Sequence, residues 1–401
     1  MRNSPKAVAD CDPPLASDGA GVCVPSERSR KIPPFIVMEV LERAHELERA
    51  GHHIIHLEIG EPDFPTPDCV CQGAMEAIRA GKTHYTHSLG IIELREAICR
   101  HYGEKYRVEV DPDRVVVTSG TSPALFMIFS ALLETGDEII ISDPHYPCYP
   151  NFAEFIKAEP VFVNVFEEDG FQFRTEQIKE AITRRCKAIL INSPSNPTGN
   201  LLPSERMARI AELGPHIISD EIYHGLVYGQ TEHSILEFTD RAFVLNGFSK
   251  AYAMTGWRLG YVIAPREYVR PLQKIQQNFF ISAGSVAQWA GVAALQKAGA
   301  DVERMRSVYN ERRIYMIQRL REMGFGLKVE PSGAFYMLVN ARHLSDRSYD
   351  LAFEILEKAG VGVSPGIDFG RNAEGYLRFS YANSLENIRE GLDRIETFLK
   401  K

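Results

Sequence analysis

The 401-residue chain carries 45 Lys and Arg against 53 Asp and Glu, a formal charge of −8, and 44% of its residues are hydrophobic. That acidic balance excludes a nucleic-acid polyanion as the main partner, because such binding runs on phosphate neutralisation, and the composition excludes the disordered and fibrous classes. The length exceeds what one hydrophobic core usually supports and predicts two domains around a small-molecule site.

Taken from the start, residues 1–30 are rich in Pro, Ser, Asp and Gly and lack an apolar run behind a basic start. They read as a flexible leader, not a signal peptide. His52, His53 and His56 are unaccompanied by a carboxylate or cysteine pattern of ligand spacing, so no metal site is expected and exposed histidines leading into a strand are the reading. Cys69 and Cys71 fall near a helix start as inert thiols, and the seven cysteines contain no CxxC pair, which suits a reducing, cytoplasmic compartment. From about residue 110, β-branched runs alternate with stretches of helical period, the pattern of a mostly parallel sheet clothed by helices. The predicted strands are 114–118, 138–142, 161–165, 187–192, 216–219, 242–246 and 259–263, with helices at 122–134, 175–185 and 204–213 between them. Their apolar runs are too short to cross a bilayer. Beyond Arg270, amphipathic stretches at 286–299 and 301–323 lead into alternating short strands and helices from 327 to 400. The expected division is a large domain over 61–290 and a small α+β domain from 31–60 and 291–401.

In a parallel sheet, ligands gather at the carboxyl ends of the strands. Three successive ends carry reactive types: AILINSPSNPTGN delivers Asn196, HIISDEIY delivers Asp220 and Tyr223, and AFVLNGFSK delivers Ser249 and Lys250. Further back, RVVVTSGTSPA places Ser119, Gly120 and Thr121 directly before a helix, where free backbone N–H groups and small hydroxyls can surround a phosphate. Pyridoxal 5'-phosphate asks for this set. Its aldehyde needs a lysine amine of lowered pKa, its ring nitrogen an acid such as Asp220, and its phenolic oxygen donors such as Asn196 and Tyr223. Arg258, eight residues beyond Lys250, can add a charge-assisted bond to the phosphate.

The run GFSKAYAMTGWRLG at 247–260 resembles the cofactor-lysine signature of the class I/II aminotransferases of fold type I, the aspartate aminotransferase-like enzymes. EIGEPDFPTP, HYTHSLGIIELREAI, NSPSNPTG, SDEIYHGLVY, PSGAFY and LRFSYA are similar to the same family in the same order, from about residue 30 to the end. The resemblance implies an α/β fold type I PLP-transferase in which Lys250 holds the cofactor as a Schiff base. It implies Tyr146 as a stacking partner of the cofactor ring, and Tyr85 as a phosphate contact in the neighbouring subunit of a homodimer. Arg378 would grip the substrate α-carboxylate with its planar fork, helped by Asn196 and the backbone of Gly60. Lys250 would then move the proton between the substrate α-carbon and the cofactor C4′. The implied reaction is ping-pong transfer of an amino group from an L-amino acid to a 2-oxo acid, 2-oxoglutarate above all.

Two positions depart from the family pattern. Gly247 stands where some members have a phosphate-binding serine, which leaves Ser249 or Thr121 to compensate. Ser122, placed in the phosphate loop with the cofactor ligands, stands where an aspartate-specific branch has a lysine for the distal carboxylate. The donor is therefore left open among alanine, aspartate and aromatic amino acids, with its side-chain pocket expected near Ile32 to Val37. Each residue also has a plainer reading: Asp220 as a helix N-cap, Asn196 as turn chemistry, Arg258 and Arg378 as rim ion pairs, Tyr146 as loop packing and Tyr85 as an interface aromatic. At the level of function the rivals are a carbon–sulfur β-lyase on the same scaffold and a non-catalytic aminotransferase-like ligand sensor.

Overall fold

Six strands buried on both faces, with a seventh, partly exposed, at the sheet edge, explain why the apolar runs are nearly continuous rather than alternating. In the computed structural model, which describes residues 25–400, the strands are β1 Ile55–His56, β2 Val115–Thr118, β3 Glu138–Asp143, β4 Glu159–Asn164, β5 Cys186–Asn192 and β6 His216–Asp220. They continue with β7 Ala242–Gly247, β8 Gly260–Ile263, β9 Tyr336–Asn340, β10 Val361–Gly362, β11 Ser364–Pro365 and β12 Tyr376–Ser380. The large sheet runs β2-β8-β7-β6-β5-β3-β4. All its neighbours are parallel except β8, which lies antiparallel to β2 and β7. All seven strands expected from the sequence in this stretch are present, with bounds moved by one or two residues.

Side chains alternate across this sheet as the pleat requires. Val115, Val117, Ile140, Ile189, Ile191, Ile217 and Val244 face one core, which the helices Ile92–Tyr106 and Ser285–Lys297 close with Leu94, Ile98, Ala290 and Ala294. Val116, Ile139, Ile141, Leu190, Ile218, Phe243 and Val262 face the other, closed by Leu125, Ile128 and Phe129 of the helix Thr121–Leu132. Each such large apolar side chain contributes about 1.5–3 kcal/mol on burial. A third core surrounds the antiparallel sheet β11-β12-β9: Phe335, Met337, Val339, Leu377 and Phe379 meet Met316 and Leu320 of the helix Gly299–Glu322 and Ile388, Leu392 and Ile395 of the helix Leu385–Leu399. Residues from Pro34 on cluster as one unit and those before it as another, in which the described Glu27–Lys31 forms a short helix capped by Ser26. Most of the leader lies outside the described residues.

Two expectations need correction. The helix expected over 175–185 ends at Ala181, because the chain turns there to let the Thr183 hydroxyl donate to Glu138 and the Arg185 N–H donate to Thr183 Oγ1 at 3.0 Å. His56 is not exposed: its Nδ1 lies 2.6 Å from Glu58 and its Nε2 3.2 Å from Glu48, and the bond to Glu58 leads in raising its pKa to about 9. Among the described residues no group of three His, Cys, Asp or Glu could hold a metal ion, and no helix is long and apolar enough to cross a membrane.

Candidate active site

The parallel strands release their chain at one edge of the large sheet, and the reactive residues follow from that geometry. Asp220 is the last residue of β6, Asn196 lies in the loop after β5, Ser249 and Lys250 follow β7, and Thr121 opens the helix after β2. With Gly60, Ser122, Tyr146, Tyr223, Arg258 and Arg378 they line one cavity of about 400 Å³. Of the residues singled out in the sequence, Ser119 and Gly120 stand behind the lining. Tyr85 lies apart, 83% exposed, in a separate groove with Lys82, His84 and Trp289.

Lys250 is held by the carbonyl of Gly60, to which Nζ donates at 2.6 Å. Burial is the main cause that lowers its pKa to about 8, with Arg378 and Arg258 adding repulsion and Glu61 opposing. Gly60 thus touches the lysine through its carbonyl, and a Cβ there would sit 2.2 Å from the Tyr336 hydroxyl, so no larger residue fits without displacing that ring. Asp220 answers from across the cavity. Burial pushes its carboxyl up to about 6, while the Tyr149 hydroxyl, donating to Oδ2 at 2.7 Å, and the Ile222 N–H, donating to Oδ1 at 3.1 Å, pull it back. Asp220 is no helix N-cap, because a turn and not a helix follows β6; the Ile222 N–H it accepts belongs to that turn, and its carboxylate lines the cavity.

Arg378 sits in β12, 2% exposed, with its guanidinium sandwiched between the rings of Tyr336 at 4.3 Å and Phe369 at 4.7 Å. Nη1 donates to Asn196 Oδ1 at 2.9 Å, and Nη2 donates to the Glu58 carbonyl at 2.6 Å and to Ser364 Oγ at 3.1 Å. Its buried Nε–H finds no partner among the described residues. This is no rim ion pair: no carboxylate is bound to it, and its charge is aimed into the cavity. Tyr223 donates its hydroxyl to Tyr336 at 3.1 Å, and Tyr146 packs edge-on against Tyr149 with centroids 5.3 Å apart.

The turn expected to cradle a phosphate is built by close approach. Gly120 has φ +99°, a conformation L side chains rarely adopt, and a Cβ on it would lie 2.7 Å from Arg258 Nη2. The bare backbone therefore lets the guanidinium close over the start of the helix Thr121–Leu132, beside Thr121, Ser122 and Ser249. Gly247, whose family counterpart can be serine, is not on the cavity wall.

A buried amine of lowered pKa, a buried carboxylate and an anion cradle at the carboxyl edge of a parallel sheet define a fold type I pyridoxal-phosphate enzyme. The chain belongs to the family of aminotransferases class I and II, whose family model matches residues 52–395. It is 42% identical to (5-formylfuran-3-yl)methyl phosphate transaminase of Methanocaldococcus jannaschii, across 94% of this chain and 100% of that protein. It is 38% identical to aspartate aminotransferase of Pyrococcus horikoshii, across 94% and 97% of the two chains. The fold agrees with that of Thermus thermophilus aspartate aminotransferase with maleate at a TM-score of 0.90 and 37% identity, covering 94% and 100% of the chains. The protein is thus an aminotransferase, and the cofactor of its family is pyridoxal phosphate. The residues present fit that group: the Gly120–Arg258 approach for an anion, Asp220 for a ring nitrogen and Lys250 for an aldehyde.

Several site residues were not singled out in the sequence. Tyr149 lies three residues past Tyr146, inside a helix Cys148–Phe155 that begins right after Pro147, a proline-then-helix signal that was available. Tyr336 and Phe369, which sandwich Arg378, and Met38 and Leu41, which line the cavity beside Phe35 and Val37 of the expected pocket segment, reach the site only through tertiary folding.

Proposed function

We propose that this enzyme moves the amino group of an L-amino acid to 2-oxoglutarate, with Lys250, Asp220 and Tyr223 as the catalytic residues. The observation that carries the reading is the convergence of Lys250, Asp220 and Arg378 on one cavity. When bound, the cofactor supplies an electron sink for the pair left on the substrate α-carbon. Lys250 would hold the cofactor by its aldehyde carbon, and its Nζ is the base that would take the substrate α-proton; an amine near pKa 8 is partly free base at neutral pH and suited to this. Asp220 would hold the ring nitrogen protonated, and the hydrogen bond from Tyr149 favours the ionised carboxylate that this needs. Asn196 and Tyr223 would donate to the phenolic oxygen, Tyr146 would pack on the ring, and Thr121, Ser122, Ser249 and Arg258 would hold the phosphate, with Ser119 and Gly120 shaping the turn behind them. Arg378 orients the α-carboxylate of both substrates, aided by Asn196 and the Gly60 backbone.

Phe35, Val37, Met38 and Leu41 give the donor side-chain pocket an apolar wall, which favours neutral and aromatic donors. Tyr85, exposed on this chain, completes the phosphate site of a second copy in a cytoplasmic homodimer. A large domain over 61–290 and a small one from 31–60 and 291–401 accommodate the two sets of cores. The test is the half-reaction. Holoenzyme mixed with donor alone loses its visible absorbance stoichiometrically and regains it with 2-oxoglutarate, whereas Lys250→Ala does neither. Pyruvate and ammonia released without any acceptor would instead make the enzyme a β-lyase.

A further inference from the structure

We propose that Asp368 is a positioning residue that sets the wall of the donor side-chain pocket by holding the first turn of the helix Ile36–Arg49 against the segment that supports Arg378. The inference rests on the reading of Arg378 and of the cavity wall given above. The helix carries Val37, Met38 and Leu41 on the cavity, with Phe35 just ahead of it. A helix start leaves N–H groups without intrahelical partners, and an Asn, Asp, Ser or Thr directly before the helix usually satisfies them. Phe35 occupies that position and has no acceptor to offer. The acceptor instead comes from 332 residues away: Asp368 Oδ1 accepts from Ile36 N at 3.1 Å and Oδ2 accepts from Val37 N at 3.2 Å. A carboxylate in this place meets both the free donors and the positive end of the helix dipole.

What makes this more than a cap is the neighbour on the chain. Phe369 is fully buried and stacks on the Arg378 guanidinium at 4.7 Å, while Ile367 on the other side is anchored by its N–H donating to Ser348 Oγ at 3.0 Å. A segment of three residues therefore ties the pocket wall to the carboxylate grip. The wall also meets the opposite side of the cavity, where the Phe35 ring stands edge-on to Tyr146 with centroids 6.0 Å apart. Losing the Asp368 carboxylate frees the helix start and lets the wall retreat from the substrate side chain, while the α-carboxylate and the reacting carbon keep their partners. A donor that has no side chain to touch the wall should not notice.

The experiment compares holoenzymes of wild type, Asp368→Ala and Asp368→Asn in the half-reaction with L-phenylalanine, L-leucine and L-alanine. For the better of the two bulky donors, Asp368→Ala lowers kcat/KM about tenfold, mainly through KM, as expected for the loss of a helix cap. With L-alanine the change stays below about twofold, and Asp368→Asn, which keeps one acceptor, recovers most of the loss. The visible absorbance of the bound cofactor is the same in all three. Equal losses with alanine and the bulky donor would reduce Asp368 to a general structural cap, and no loss with either would show the wall to be independent of it. A wild type that uses alanine but neither bulky donor removes the wall assignment while the proposed function stands. A wild type that uses none of the three also removes the wall assignment, and only failure with L-aspartate as well overturns the functional reading itself.

Discussion

Replacing Arg378 by lysine keeps a positive charge in the cavity and removes everything else that makes the residue specific. The guanidinium is locked by two aromatic faces and donates to Asn196 Oδ1, the Glu58 carbonyl and Ser364 Oγ. Lysine supplies one compact ammonium on a flexible stem, so a substrate carboxylate loses one of two charge-assisted bonds, about 1.5–3 kcal/mol. Weaker seating between Tyr336 and Phe369 adds about 0.5–1 kcal/mol. The sum, about 2–4 kcal/mol, corresponds to roughly a 30- to 1,000-fold fall in kcat/KM. Because the amino acid and the oxo acid both carry the carboxylate, both half-reactions suffer by a similar factor. Cofactor affinity is unchanged, since Arg378 is not part of the phosphate cradle. Stopped-flow measurement of each half-reaction, with a parallel titration of apoenzyme with cofactor, gives the three numbers required. A loss confined to one half-reaction, or a loss of cofactor affinity as large as the loss of kcat/KM, would refute the assignment.

Tyr149→Phe deletes the donor to Asp220 Oδ2, so the carboxyl, already lifted to about 6 by burial, titrates still higher. Cofactor association with apoenzyme, which needs that carboxylate charged, then fails on acidification at a pH about one unit higher than in wild type, and coincident curves would count against the role of Tyr149. Glu221, buried beside the site, is lifted by desolvation from 4.5 to about 8. The folded chain retains a proton that the unfolded chain releases, so this stabilisation is present below about 4.5 and is lost as pH rises through about 8. Glu221→Gln should therefore flatten the decline in melting temperature between pH 5 and 8, and an unchanged slope would place the titration elsewhere. Gly120→Ala drives a Cβ to 2.7 Å from Arg258 Nη2 at a φ of +99°. The cofactor dissociation constant, followed by fluorescence, should rise about tenfold or more from a few kcal/mol of strain; wild-type affinity in that variant would show the cradle to be softer than described.

The central strands were legible because they are buried on both faces, and a run such as AFVLNG at 242–247 leaves no alternative to a central strand. The reactive residues were legible because the chain must leave such a sheet at its carboxyl edge. The helix Ile36–Arg49 was not read as one, for a physical reason: its cap is Asp368, and a rule that looks for Ser, Thr, Asp or Asn next to the helix cannot see an acceptor 332 residues away. His56 was misread in part for a similar reason: its main partner, Glu58, stands two residues on and was visible in the sequence, but Glu48, which pairs the other ring nitrogen, belongs to that same unrecognised helix. Tyr336 and Phe369 are apolar-looking members of buried elements, and only the crossing of β9 and the segment after β11 with β12 makes them the two faces of an arginine sandwich.

The charge around the cavity explains why an acidic protein can serve an anionic chemistry. Against a formal −8 for the whole chain, the cavity wall presents Lys250, Arg258 and Arg378 and only two carboxylates, Glu61 and Asp220. Glu61 is turned to the Thr255 hydroxyl, and Asp220 is satisfied by Tyr149 and the Ile222 N–H, so neither neutralises an arginine directly. Arg378, 2% exposed, is left facing a low-dielectric space, where an uncompensated cation is costly and an arriving anion is correspondingly favoured, whereas Arg258 is exposed and donates to the Thr255 carbonyl at 3.1 Å. One arginine closes on the helix start beside Gly120 and the other is stacked near Asn196, so the site attracts two separate anionic groups rather than one. A phosphate at the first and a carboxylate at the second would leave the Lys250 amine between them, and the same repulsion from Arg378 and Arg258 that helps hold the amine down to about 8 would weaken as each anion arrives.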